Sequence, residues 1–198
     1  MLFIVAVIFL SLLSVIFYFN AEDYRGAKYR SQSAIVSSMT ARLSKIVSNL
    51  EKVVNEGDFN SMRAYNAMIS YYDLEYVTDC SDFVMSQYHR YYDLQESAFR
   101  ILRDAFSGLA IAVLSANEEL GAQPDAETGY HLNGTMSGGI VTCIPLLQEL
   151  HDEFEQALGH DNVSRYDENP SSVVDAMDLE LVQDEASAIM SALGLSYI

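Results

Sequence analysis

The sequence predicts an all-α protein in which an N-terminal transmembrane helix continues into a stalk helix and then into an elongated bundle of about four to five further helices. Three observations support this prediction. The chain opens with a long apolar run, its later apolar residues recur at helical spacing, and no segment alternates with the period of two that is typical of a strand. The chain divides accordingly into an anchor at 1–20, a stalk at 21–57 and an acidic bundle domain at 58–198.

The first element is the apolar run from Leu2 to Phe19, which contains no charge, glycine or proline. As a helix it would span about 27 Å, close to the ~30 Å hydrocarbon thickness of a bilayer. No basic residue precedes it, and Phe19 is too bulky for the small-residue site that signal peptidase needs. We therefore predict an uncleaved signal anchor, a single-pass membrane location, and the lipid bilayer as one partner.

The charges that follow the anchor indicate its orientation. Arg25, Lys28 and Arg30 all lie on its C-terminal side, so the positive-inside rule places the bulk domain in the cytoplasm. Glu22 and Asp23 lie between the anchor and these bases, and single-span proteins with short tails often export their domain. An extracytoplasmic domain therefore stays open.

The net charge of −17 is unevenly distributed. Residues 21–103 carry ten bases against eleven acids, whereas residues 104–198 carry one base against seventeen acids. Such a chain lacks the positive surface that neutralises phosphates, which excludes nucleic acid as a partner. Half of the residues are apolar, which is enough for a folded core. Whether the two cysteines, Cys80 and Cys143, pair is left open.

The stalk helix runs from about Ser31 to Glu56 and is ended by Gly57. Its apolar residues alternate steps of three and four, which is typical of the a and d positions of a coiled coil. The pattern also fits one amphipathic helix that packs on its own domain, because three heptads are the lower limit for a coiled coil. The candidate oligomer seam consists of Val36, Met39, Leu43, Ile46, Leu50 and Val53.

Two helices are predicted between the stalk and the middle of the chain. The first begins behind the capping residues Asp58 and Asn60 and is interrupted around 78–81. The apolar spacing resumes at Phe83 and continues to Leu120, so the second helix approaches forty residues. In the first helix the residues at helical spacing are Phe59, Met62, Tyr65, Met68, Ile69 and Tyr72.

The glycine-rich stretch 121–139 is predicted to be irregular, and a loop of this length is a candidate functional site. A helix follows over 144–158, with Pro145 tolerated in its first turn. A polar linker at 160–170 then leads to the last helix.

The last helix is predicted over 174–193. Ser171 or Ser172 is its candidate N-cap, and Gly194 is its C-terminal signal.

The sequence contains no motif for catalysis or for a cofactor. The Glu-x-x-His pairs of di-iron bundles are absent, and so are a nucleophile elbow and a phosphate-binding glycine loop. His89 with Asp93, and His151 with Glu155, are spaced one helical turn apart, but solvated surface pairs of this kind are common. We therefore predict no metal, no cofactor and no enzyme.

A dense group of tyrosines, to which Tyr65 and Tyr76 also belong, is a candidate binding site. Tyrosine provides contact area at low entropic cost, so the group could form an interaction surface, although packing in the core explains it equally well. The candidate surface consists of Tyr71, Tyr72, Tyr88, Tyr91 and Tyr92.

These features together favour a non-catalytic, membrane-anchored helical protein that acts in assembly or protein–protein interaction. It would be a scaffold or an accessory subunit of a membrane complex, bound to a protein partner or self-associated. The alternative is an extracytoplasmic ligand-binding or sensor bundle whose pocket is formed by the stretch 121–139 and the tyrosines. The sequence does not identify a small-molecule ligand.

Overall fold

The described part of the chain is entirely helical. It forms five α-helices and one 3₁₀ turn, and no strand occurs within it, so the all-α prediction is confirmed. The computed structural model describes residues 2–55, 60–86, 94–121, 134–159 and 172–195, and the side chains of 2–12, 60–61, 118–121 and 134–137 lie outside the description.

The helices form a closed ring, and α3 and α4 also contact each other. α1 packs on α2 and α4, α2 also packs on α3, and α5 lies between α3 and α4 and contacts both. One hydrophobic core fills the ring. The helices are α1 (Leu2–Val54), α2 (Asn60–Ser86), α3 (Leu94–Gly121), α4 (Gly134–Gly159) and α5 (Leu179–Ala192), with the 3₁₀ turn at Val174–Ala176.

α1 contains 53 residues and is therefore about 80 Å long. Between residues 13 and 31 none of its side chains is buried, whereas from Gln32 onward one face is buried in the core. The predicted stalk at 21–57 is thus a spacer only at its start. From Gln32 it is one of the helices of the bundle.

The predicted membrane anchor lies mostly outside the described side chains. Across the segments that the structure does describe, no helix has a stretch long and apolar enough to cross a bilayer. Of the predicted anchor at 1–20, only the side chains from Leu13 onward are described.

The boundary between α2 and α3 differs from the prediction. α2 is continuous through 78–81, so the predicted interruption is wrong, and Phe83 belongs to α2 and does not begin the next helix. The predicted helix of nearly forty residues crosses residues 87–93, which lie outside the described part. Thr78 and Ser81 are compatible with a helix because their hydroxyls donate to the carbonyls of Leu74 and Val77, each at 2.8 Å. Their polar groups are thereby satisfied within the helix.

α4 begins earlier than predicted. It starts at Gly134, so the last part of the stretch 121–139 is helical and Pro145 lies in the helix interior. A proline there cannot donate to the carbonyl four residues earlier, which belongs to Val141. Pro145 and Val141 are both exposed, so water can hydrate that carbonyl. The exposed position explains why the helix tolerates the proline.

The start of α5 also differs from the prediction. Ser172 and Asp175 bond each other's backbone N–H groups, at 3.1 and 3.4 Å, but this capping box holds only the 3₁₀ turn. Asp178 is the N-cap of α5 because its carboxylate accepts from the Leu181 N–H at 3.1 Å.

The C-terminal end of α5 is the predicted one. Gly194 has a positive φ of 70°, its N–H donates to the Ser191 carbonyl, and the Leu195 N–H donates to the Met190 carbonyl at 2.8 Å. This is a Schellman motif. It directs Leu195 against α3, where a Cβ on Gly108 would clash with Cδ1 of Leu195.

Candidate interaction surface

α2 presents its aromatic face to solvent. Met62, Tyr65, Tyr72 and Phe83 are 56, 63, 57 and 46% exposed, although large apolar side chains usually lie in a core. They belong to a row with steps of three and four residues, in which Asp79 occupies the one remaining place. This row, the α2 stripe, consists of Met62, Tyr65, Ile69, Tyr72, Tyr76 and Phe83.

The opposite face of α2 is buried although much of it is polar. It includes Leu74, Val77 and Val84, which are fully buried in the core. Its buried polar residues are Arg63, Asn66, Ser70, Asp73 and Ser81. α2 therefore has two apolar rows, and the more aromatic one faces outward.

An ion pair with α1 helps to hold α2 with its polar face towards the core. The carboxylate of Asp73, only 5% exposed, pairs with the guanidinium of Arg42. Arg42 also lies 4.2 Å from the ring centroid of Tyr76, whose hydroxyl is 2.9 Å from Oγ of Ser38. A carboxylate as buried as that of Asp73 is costly without a partner, and Arg42 provides one while remaining 36% exposed itself.

A second polar contact holds the N-terminal end of α2. Nε of the buried Arg63 donates to the Val53 carbonyl at 2.8 Å. This carbonyl belongs to the last turn of α1, where carbonyls have no partner within the helix and the helix dipole favours a cation. The two contacts together stabilise the arrangement with the polar face inward.

Acidic residues lie within and beside the second half of the α2 stripe, on the side of α3. This acidic edge consists of Glu75, Asp79 and Asp82, all exposed, and Asp82 is paired with Arg103 at 3.2 Å. Glu75 accepts a hydrogen bond from the hydroxyl of Tyr71, which raises the pKa of that tyrosine. An aromatic surface and a negative edge are thus adjacent on one helix.

Next to the acidic edge, a cleft of about 330 Å³ lies between α2 and α3. Its walls combine two acids with apolar groups of α3, so it can hold a positively charged group on an apolar stem. The cleft is lined by Tyr71, Glu75, Thr78 and Asp79 of α2 and by Ser107, Ala110, Ile111 and Leu114 of α3.

The structure brings two of the five predicted tyrosines together at the surface. Tyr71 is partly buried, Tyr72 is exposed, and their ring centroids are 5.4 Å apart. Tyr88, Tyr91 and Tyr92 lie outside the described residues. Sequence reasoning placed Met62, Tyr65 and Ile69 at helical spacing on this helix but did not include them in the candidate surface, and it assigned Phe83 to the next helix.

The candidate oligomer seam lies inside one chain. All six of its residues are fully buried in the core of the bundle, where α1 packs on α2 and α4. A row buried within one chain cannot also pair with a second copy. The arrangement corresponds to the alternative of an amphipathic helix that packs on its own domain. The seam consists of Val36, Met39, Leu43, Ile46, Leu50 and Val53.

Asp152 lies next to one of the two predicted pairs, His151 with Glu155. The ligand atoms of His151, Asp152 and Glu155 on α4 lie within 4.8 Å of one another. Hydrogen bonds from His151 and Gln148 lower the pKa of Asp152, and both carboxylates are exposed. Neighbouring side chains on one helix surface account for this cluster. The other pair, at 89 and 93, lies outside the described residues.

The two cysteines are buried as separate thiols and do not form a disulfide. Burial raises the pKa of Cys143 to about 12 and also raises that of Cys80. Such thiols are packing residues and not nucleophiles, because the thiolate is the reactive form.

Comparisons of the chain with protein-family models, with curated proteins and with solved structures find no match. The alternative of a ligand pocket at 121–139 stays a prediction, because residues 122–133 lie outside the described part.

Proposed function

We propose that this chain is a non-catalytic, membrane-anchored helical protein that acts by protein–protein interaction, as a scaffold or accessory subunit of a membrane complex. The observation that carries the proposal is the outward α2 stripe. Its large side chains are about half exposed and together present on the order of 500 Å² of mostly apolar surface. Apolar patches of this size on soluble domains are frequently binding sites.

The anchor is part of the proposal. The described side chains that end the apolar run include Val15, Ile16 and Phe17, and each is at least half exposed. Apolar side chains on a helix that projects from a bundle are stabilised by hydrocarbon. The bases at 25, 28 and 30 favour a bulk domain in the cytoplasm.

The interaction proposal is tested on the full chain in mild detergent, by measuring its mass with light scattering and by cross-linking in native membranes. We expect a mass above that of the monomer, from a partner or from self-association. The variant Tyr65→Ser/Tyr72→Ser/Phe83→Ser should lose the complex. Val141→Ser, which changes a similarly exposed apolar residue on α4, should keep it. A monomer without a partner in both assays would contradict the proposal.

The topology is tested separately. One cysteine is added after the last residue in a chain that lacks Cys80 and Cys143, and an impermeant maleimide is applied to intact cells. Labelling only after permeabilisation supports a cytoplasmic domain. Labelling of intact cells overturns the orientation, and recovery of the chain outside the membrane fraction overturns the anchor.

A further inference from the structure

We infer that the segment that binds the α2 stripe is an amphipathic helix of a partner protein whose apolar row is flanked by lysine or arginine. The inference rests on the proposed function and specifies the chemistry of the partner. It follows from the periodicity of the α2 stripe, from the charge beside it and from the cleft between α2 and α3.

The periodicity of the α2 stripe fits a helical partner. From Met62 to Phe83 the row covers 21 steps along the helix, which is about 32 Å. Steps of three and four are those with which two helices interlock their side chains, whereas an extended peptide repeats every two residues. A helix of about six turns would cover the whole row.

The charge beside the α2 stripe fits a basic partner. In the second half of the row, Glu75 and Asp82 lie beside it and Asp79 lies within it, so a helix laid on the row would place its flanking residues over Glu75 and Asp82 and its edge over Asp79. The chain carries a net charge of −17, so opposite charge on the partner would also accelerate association.

The cleft gives one basic side chain a place to enter. Glu75 and Asp79 lie at its α2 wall, while Ile111 and Leu114 provide an apolar wall on α3. Lysine and arginine bury their stems on apolar surface and keep the charged end in a polar environment. A basic residue flanking the partner's apolar row therefore meets both walls.

A second copy of α2 does not supply this chemistry. The single base on α2 is Arg63, which is buried and donates to the carbonyl of Val53. A parallel second copy would bring Asp79 against its counterpart, and an antiparallel copy would leave the acidic edge without exposed bases from α2. Anionic lipid headgroups are unfavourable occupants as well, because the acidic edge would repel them.

The test uses the full chain in mild detergent and two synthetic helical peptides. Each peptide has about 21 residues, which is close to the length of the row. Both peptides carry leucine at steps of three and four, but one has lysine at the flanking positions and its twin has glutamate. Affinities are measured by fluorescence anisotropy at low and at high salt. We expect the lysine peptide to bind about tenfold more tightly than its twin at low salt, with a smaller ratio at high salt.

Three double variants assign the effect to the surface. Glu75→Gln/Asp79→Asn should abolish the preference for lysine, while Asp152→Asn/Glu155→Gln, which removes the same charge from α4, should retain it. Tyr72→Ser/Phe83→Ser should weaken binding of both peptides, because it removes apolar contact area.

The outcomes separate this inference from the proposed function. If both peptides bind equally, or the glutamate peptide binds better, the charge argument is overturned and the role of the α2 stripe in assembly stands. If neither binds while the chain self-associates through the α2 stripe, the occupant is a second copy and the inference is overturned. If neither binds and no complex forms in membranes, both fail.

Discussion

The face that α2 turns towards the core can be tested with two substitutions on opposite sides of the helix, Tyr65→Gln and Leu74→Ala. Tyr65 is 63% exposed and Leu74 is fully buried, although tyrosine is the larger residue. If α2 were turned so that the α2 stripe entered the core, these two environments would exchange. The free energies of unfolding of the two variants therefore report which face is inside.

The expected magnitudes follow from the buried areas. Leu74→Ala leaves a cavity in a packed core and should cost about 2–5 kcal/mol. Tyr65 buries only about 40% of a side chain of roughly 200 Å², or about 80 Å², which corresponds to at most ~2 kcal/mol. Because the stem of glutamine keeps part of that contact, Tyr65→Gln should cost about 1 kcal/mol. A buried tyrosine would cost about 3–5 kcal/mol instead.

The assay is urea unfolding of the full chain in mild detergent, followed by helical circular dichroism. Tyr65→Phe is the control, since it removes only the hydroxyl and should change stability by less than about 0.5 kcal/mol. A loss for Tyr65→Gln as large as that for Leu74→Ala would show that the aromatic row faces the core. The proposed surface would then not exist.

Three further predictions concern packing and ionisation. Gly108→Ala should change the free energy of unfolding little, because a gain of about 1 kcal/mol in helix propensity is offset by the displacement of Leu195. In a chain that already carries Leu195→Ala, the same change should stabilise the fold by about 1 kcal/mol, and a destabilised double variant would contradict this reasoning. Because the pKa of Cys143 is raised to about 12, only about one molecule in 10⁴ carries the thiolate at pH 8. A thiol reagent should therefore modify Cys143 only after unfolding, and rapid modification of the folded chain would contradict its burial. Burial and the neighbouring Glu149 raise the pKa of Glu185 above its ordinary value of 4.5, so its ionisation destabilises the fold at neutral pH and this penalty disappears as the pH falls towards 4.5. Glu185→Gln should therefore be more stable than the unchanged chain at pH 7, by a margin that shrinks on acidification, and a margin independent of pH would contradict the reasoning.

The helical class was predictable because it depends on local spacing. Apolar residues three and four apart form one face of a helix whatever covers that face. The end of α5 was predictable for a similar reason, since only glycine adopts the positive φ of Gly194 without strain. The start of α5 was not, because both Ser172 and Asp178 are suitable caps and the structure uses one for each turn.

The environment of each face was decided by contacts distant in sequence. The row on α1 from Val36 to Val53 has the spacing of an oligomer seam, but α2 and α4 cover it within the same chain. Spacing identifies an apolar face without naming the surface that covers it. The same limit applies to Tyr71 and Tyr72. A tyrosine side chain predicts a large contact area, but it does not predict whether that area lies in the core or at the surface.

By itself, the sequence determined that this chain is helical, where α5 ends, and that its acids are concentrated in the second half. Only the tertiary structure decided which face of α2 is buried. Asp73 and Arg63 lie inside because Arg42 and the Val53 carbonyl of α1 satisfy them there, and such partners become visible only when the helices are assembled. The aromatic row was left outside because a helix that turns its paired polar groups inward must turn the opposite face to its surroundings.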